Sequence, residues 1–290
     1  MPSNHIHLNH SLVIEQLTSH DIQDIVNLST LLGWDYSAEE IHLILETGFL
    51  FGHRNHRGKV ISTAAIFPYK KNFASLGVVM VDPDFRRRGL ATQLVQKCME
   101  TVSGIPIMLI ATEEGKPLYE KLGFKTAGTL YKLIAQKYKG TQTVHVDDYT
   151  IHSLTDAHMK AILKLDQQAF GADRGTFLKK RIKQATLRAV LLNQSKEVAG
   201  YALGVQTPEL LIIGPVIAPN SLAASLLVQH IASRHPGPMR IDIPSEHPSL
   251  SDFLISNGFE IVRQPPVMTY HFDHFPNRPH LFALAAQAYG

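Results

Sequence analysis

Cysteine is almost missing from this chain: Cys98 stands alone among 290 residues. No internal disulfide can form, and so sparing a use of thiols points to a reducing compartment. No apolar run approaches the roughly 20 residues of a membrane-spanning helix. The polar stretch Met1 to His10 lacks the basic and apolar blocks of a secretory signal. The expectation is a soluble, cytoplasmic protein without a membrane partner. Charge of one sign is scarce too: Lys plus Arg number 28 and Asp plus Glu 25, a net charge of +3. So small a surplus does not argue for a nucleic-acid partner. Charged residues make up only 18% against 44% hydrophobic ones, which excludes a disordered chain. Histidine is plentiful at sixteen, yet His5, His7, His10, His53 and His56 lie in no Cys-rich or His-Glu-x-x-His setting. No metal is expected.

The length suits about two domains, and the chain repeats itself. Ile14-Glu15-Gln16-Leu17-Thr18 returns as Ile151-His152-Ser153-Leu154-Thr155, an offset of 137. Val81-Asp82-Pro83 returns as Ile217-Ala218-Pro219, Leu94-Val95-Gln96 as Leu227-Val228-Gln229, and Gly123-Phe124 as Gly258-Phe259. Offsets that stay within 133 to 138, in unbroken order, imply one unit used twice. The polar stretch Lys137 to Asp148 marks the boundary, giving units 1–140 and 145–290.

In the first unit, Leu12 to Leu17 reads as a strand, and Ser19 to Leu32 and Ser37 to Glu46 as helices. Ser37 and Glu40 have capping-box spacing. Leu50 to Arg54 and Val60 to Tyr69 read as antiparallel strands around the turn Asn55 to Gly58. Ala74 to Val81 is an apolar run suited to a buried strand. Gly89 to Ser103 is helical, with Leu90, Leu94, Val95 and Cys98 on one face. Pro106 to Ala111 reads as a strand and Lys116 to Leu122 as a short helix. Strands that do not alternate strictly with helices predict an α/β fold with a mixed sheet flanked by helices on both faces.

The strand, turn and helix start from Leu76 to Ala91 carry the most information. A helix N-terminus offers unpaired N–H groups and the positive end of a dipole to an anion. Gly89 and Ala91 leave the backbone approachable, and Arg86, Arg87 and Arg88 add charge. The spacing Arg86-x-x-Gly89-x-Ala91 is neither a dinucleotide fingerprint nor a P-loop. With Tyr119 four residues before Gly123-Phe124, it resembles the GNAT family of acetyl-CoA-dependent N-acyltransferases. The whole chain looks like bacterial proteins with tandem GNAT units, a complete one followed by a diverged one. The resemblance implies acetyl-CoA as co-substrate. The backbone of Val79, Met80 and Val81 would meet pantetheine, and the N–H groups of Arg87, Arg88, Gly89, Leu90, Ala91 and Thr92 would meet pyrophosphate.

The second unit has lost this loop. Ten residues separate Pro83 from Leu94, but only seven separate Pro219 from Leu227, with neither Arg nor Gly among them. Leu254 stands where the first unit has Tyr119. The second unit is therefore expected to keep the fold without using CoA, and to shape the amine site.

A protonated amine must lose a proton before it attacks a thioester, and the departing thiolate must gain one. Tyr119 is the candidate acid, its alternative being a packed helix tyrosine. Glu113 and Glu114, just after a strand, are candidate bases or simply acids near a helix start. Trp34, in Trp34-Asp35-Tyr36, either lines a pocket or packs. Asp173 and Arg174 either contact substrate or form a loop salt bridge. The leading expectation is acetyl transfer to a primary amine of a small molecule, by direct attack in a ternary complex. The alternative is a non-catalytic acyl-CoA sensor.

Overall fold

The computed structural model describes residues 12–272 and 276–290; His5, His7 and His10 lie outside them. The first half runs β1 (Ile14–Gln16), α1 (Ile22–Leu31), α2 (Ala38–Thr47), β2 (Phe49–Arg54), β3 (Val60–Tyr69), β4 (Phe73–Val81), α3 (Leu90–Thr101), β5 (Ile107–Ile110), α4 (Lys116–Lys121) and β6 (Lys125–Ala135). The second half repeats that order: β7 (Tyr149–Ser153), α5 (Met159–Phe170), α6 (Gly175–Gln184), β8 (Leu187–Asn193), β9 (Val198–Gln206), β10 (Leu211–Ile217), α7 (Ser221–Ala232), β11 (Met239–Pro244), α8 (Pro248–Ser256) and β12 (Glu260–Arg263). Two short strands close the chain, β13 (Pro266–Tyr270) and β14 (Leu281–Ala283). β1 is shorter than its apolar pattern suggested, and the turn Ser19–Asp21 before α1 is a 3-10 turn.

Local chemistry explains the elements that position the site. α3 buries Leu90, Leu94, Val95 and Cys98, the face its periodicity marks out. Ser37 Oγ accepts from the Glu40 N–H at 3.2 Å, capping α2. The capping box is only half formed, because the Glu40 carboxylate turns away to Tyr289 and Arg181. The β2–β3 turn is held by Asn55, whose Oδ1 accepts from the N–H groups of Arg57 and Lys59.

All strands join one mixed sheet, in the order β1-β2-β3-β4-β5-β13-β6-β11-β10-β9-β8-β7, with β12 on β6 and β14 on β10. Its two halves are mirror sequences of each other, and they exchange strands at the middle. β13 lies between β5 and β6, pairing Val267 with Ile110 and with Gly128. β6 passes the other way: its far half, Leu130 to Ala135, pairs with β11 and β12. One hydrophobic core is shared, running from Ile25, Ile41 and Phe67 to Phe170, Phe177 and Tyr289. Ion pairs Arg181–Glu40 and Lys180–Glu46 tie α6 to α2.

Two buried imidazoles give this fold a pH dependence. His53, 0% exposed, lies 2.8 Å from Ser62 Oγ and 3.1 Å from Gln93 Oε1. His247 stacks on Phe282. Burial holds both below the ordinary histidine value of 6.5. A depressed value means that the unfolded chain binds more protons, so stability is full above pH 6.5 and falls as pH drops toward the folded values. The urea midpoint is expected to be lower at pH 5.5 than at pH 7.5, with a smaller difference in His53→Gln. Equal midpoints at the two pH values would show that these rings are not held neutral.

Candidate functional site

β4 departs from regularity where it matters. Ala65 faces Gly77, but Thr63 faces Met80, so two steps on β3 match three on β4. This bulge is centred on Val78, whose φ of 56° is unusual for a β-branched residue. The Thr63 hydroxyl donates to the Val78 carbonyl at 2.7 Å and holds the peptide in place. Pairing of β4 with β5 ends at Leu76 and Leu109. β5 pairs with β13 along its other edge, a pairing extended by Ala111 N–H donating to Pro266 O at 3.0 Å. The edge of β4 from Gly77 to Val81 that faced β5 has no strand partner among the described residues, and Val79 and Val81 are half-buried along it. A splayed pair with an unpaired backbone edge accepts an extended amide-bearing chain as a strand would.

The loop after β4 leads into a free helix end. Asp82 Oδ1 accepts from the Asp84 N–H at 3.0 Å, and Arg87 and Gly89 both have positive φ, at 60° and 78°. The first intrahelical bond is donated by Gln93 to Gly89 O, leaving the N–H groups of Leu90, Ala91 and Thr92 as the open end of α3. Among the described residues nothing would lie within 4 Å of a Cβ at Gly89, so the approach is open. The arginines are not equivalent. Arg88 donates to Asp84 O and stacks on Phe85, and Arg86 Nε lies 3.4 Å from Val81 O. All three side chains are exposed, and those two brace the loop.

Tyr119 sits on α4 with its ring edge-on to Phe124, and is only 6% exposed. Its hydroxyl has no hydrogen-bond partner among the described residues. Burial, with Cys98 close by, pushes its pKa above the ordinary value of 10. Glu113 and Glu114 are exposed on the loop between β5 and α4. Hydrogen bonds from its own backbone and from Thr112 hold the Glu114 carboxyl below its ordinary range, and Arg86 and Arg263 add to the effect.

The opposite face of β4 is walled by the end of the chain, which no sequence pattern announced. Ser75 Oγ donates to Ala288 O at 2.9 Å, and the Tyr69 hydroxyl to Tyr289 O at 2.6 Å. A Cβ on Gly77 would come within 2.8 Å of the Ala288 Cα, so only glycine admits this approach. The Tyr289 hydroxyl donates to Glu40 Oε1 at 2.9 Å, and Arg181 Nη1 to Glu40 Oε2 at 2.6 Å. Trp34 and Tyr36, 6.0 Å apart between α1 and α2, pack on the same core half-buried. Asp173 pairs with Lys70 at 2.5 Å. Arg174 turns inward, its guanidinium held by Asp166 at 2.8 and 2.9 Å.

In the second half, the equivalent cleft is filled. β10 pairs with β11 only as far as Ile213, and β14 then takes the vacated edge, pairing Val216 with Ala283. Leu284 N–H closes the gap by donating to Asp242 O at 2.9 Å. The N-terminus of α7 is capped by its own Asn220, whose Oδ1 accepts from Ala223 N–H at 2.9 Å. Chain and cap occupy the two places that stay open in the first half.

Two family models, each described as an acetyltransferase (GNAT) domain, match residues 40–126 and 162–283. A Bacillus subtilis protein named uncharacterized N-acetyltransferase YitH is 36% identical over 278 residues, covering 95% of this chain and 97% of the relative. The chain belongs to the GNAT acetyltransferase family. Solved structures share the fold. A putative acetyltransferase from Pyrococcus horikoshii superposes with a TM-score of 0.80 at 18% identity, over 99% of this chain and 100% of that one. A tandem GNAT protein from the clavulanic acid biosynthesis pathway gives 0.65 at 13% identity, over 89% and 98%. This GNAT enzyme therefore carries its open cleft in the first unit and a closed copy in the second. Among the described residues no helix is long and apolar enough to cross a membrane.

Proposed function

We propose that the first unit, residues 1–140, transfers the acetyl group of acetyl-CoA to a primary amine of a small molecule, and that the second, 145–290, shapes the acceptor side. The observation that carries this reading is the coincidence of three features: the unpaired β4 edge, the open end of α3, and the unpartnered Tyr119 hydroxyl. Pantetheine amides pair with the backbone of Val79, Met80 and Val81. The pyrophosphate meets the N–H groups of Arg87, Arg88, Gly89, Leu90, Ala91 and Thr92, and Arg86 steadies the loop beneath it.

The amine attacks the thioester carbonyl directly. The C–N bond forms, the C–S bond breaks, and the thiolate takes the Tyr119 proton. A preorganised strand N–H, that of Val79, stabilises the developing oxyanion. The amine's surplus proton passes through water to Glu113 or Glu114, exposed on the loop after β5. Trp34 lines the acceptor side. Asp173 and Arg174 act there through the inter-unit packing that holds the wall. The lone buried thiol of Cys98 fits a cytoplasmic setting.

Calorimetry is expected to give one acetyl-CoA site per chain, since the second cleft is filled by β14; two equivalent sites would overturn the assignment. Gly89→Glu should weaken acetyl-CoA binding by at least about 2 kcal/mol, the scale of losing charged hydrogen bonds, by setting a carboxylate against the anion. Gly89→Asn tolerates the left-handed backbone and should weaken it much less. Equal affinities in the two variants would mean that the pyrophosphate sits elsewhere.

A further inference from the structure

Lys132, on β6, lies directly opposite Asp242 of β11. By strand alternation both share the face of Leu130, which belongs to the core under α1 and α2. Asp242 is 1% exposed and already engaged: Arg240 donates to it at 2.9 Å and Gln287 at 2.8 Å. Lys132 is half-buried and forms no ion pair or side-chain hydrogen bond among the described residues. On the α1–α2 loop, the Asp35 carboxylate and the Tyr36 hydroxyl are likewise without hydrogen-bond or ion-pair partners among the described residues. These heads share one neighbourhood, because Asp35 and Arg240 act electrostatically on both Tyr36 and Lys132. Burial and the adjacent Arg240 disfavour the charged form of Lys132 and outweigh the opposing pull of Asp242 and Asp35, a situation that a further bound anion relieves.

We propose that this group of side chains is the carboxylate subsite of the acceptor site: Lys132, backed by Arg240, binds the carboxylate of an amino-acid-like amine. Asp35 on the α1–α2 loop has the complementary sign, so a zwitterion is matched at both ends, whereas a diamine brings a second cation against Lys132 and Arg240. The inference rests on the reading above that amines enter on the α1–α2 side of β4. Its own content is the substrate class and the residue that selects it.

The test compares amino acids with their carboxamides, which keep the amine and lose the anion. Glycine, β-alanine, L-glutamate and L-phenylalanine serve as acids, each beside its amide, with acetyl-CoA as donor. The wild-type enzyme is expected to favour the better acids over their amides about 10- to 100-fold in kcat/KM, the scale of one charged hydrogen bond. Lys132→Met should lower kcat/KM for the acids to the level of the amides, and Lys132→Arg should restore the preference. Acids and amides acetylated alike by wild type, or a preference that survives in Lys132→Met, would overturn the subsite while leaving acetyl transfer standing. If no amine is acetylated, the functional reading falls, and binding alone decides the subsite. Calorimetry with N-acetylglycine and N-acetylglycinamide would then uphold it if wild type prefers the acid and Lys132→Met does not. Equal binding of the two would sink it.

Discussion

Tyr119→Phe is expected to reduce kcat by about 10²–10⁴-fold, the usual cost of removing one proton-transfer group, while acetyl-CoA affinity stays nearly unchanged. The substitution keeps the ring that packs edge-on to Phe124 and deletes only a hydroxyl that holds nothing else in place. Stability should therefore be spared, and affinity too, because pantetheine and pyrophosphate meet backbone. The raised pKa of Tyr119 adds a second readout. The group stays protonated throughout the neutral range and beyond its ordinary value of 10, so kcat should show no descending alkaline limb below about pH 10. A thiolate leaving into the same buried surroundings has its own proton affinity raised, which narrows the gap between donor and acceptor. Single-turnover rates and calorimetry on the variant and wild type decide the matter. A rate within about threefold of wild type, far short of the expected loss, would leave water as the proton donor.

Much of this site was legible because its signals are local. The spacing of Leu90, Leu94, Val95 and Cys98 reports one helix face, and Gly89 just before it reports a backbone turn that other residues resist. The duplication was legible because β1 to β6 and β7 to β12 keep their order. The loss of the second phosphate loop could be counted in residues, though not its consequence: Asn220 supplies the cap that an anion would otherwise provide. What stayed hidden is pairing over long distances. Leu130 to Ala135 reads as an ordinary strand, and nothing within it says that its partners are Met239 to Pro244. The closing segment from Leu281 to Gly290 is too short for periodicity, yet it plugs one cleft and walls the other. Glu40 looked like half of a capping box, and its carboxylate instead ties Tyr289 and Arg181 together across the two units.

Arg174 teaches the same lesson with a larger energy attached. Its loop, Gly171 to Arg174, is polar in sequence and suggests a side chain in solvent. Folding turns that side chain fully inward: the guanidinium stacks 3.9 Å from the Phe170 ring centroid and is held by Asp166. Asp166 also accepts from the Tyr201 hydroxyl at 2.5 Å. Burial alone would lower the Arg174 pKa, and the Asp166 charge overrides it, holding the guanidinium above its ordinary range. Asp166→Ala removes that compensation and leaves a cation in an aromatic pocket, next to a second buried guanidinium, Arg278. The expected cost is about 3–5 kcal/mol, the range for breaking a buried ion pair from one side. Urea unfolding at pH 7 would measure it. Replacing both members, Asp166→Leu with Arg174→Met, should recover most of the loss, since an apolar pair needs no partner. If Asp166→Ala does not fold, Asp166→Asn, which keeps an acceptor for Tyr201 or Arg174, reads the same effect at smaller size. Because Phe170 packs against Tyr69 and Phe73 of the first unit, the destabilisation should reach the acceptor face of β4 and lower acetylation as well as stability. A loss under about 1 kcal/mol, as for an exposed pair, would mean that water reaches the cluster and that the second unit grips the first by other contacts.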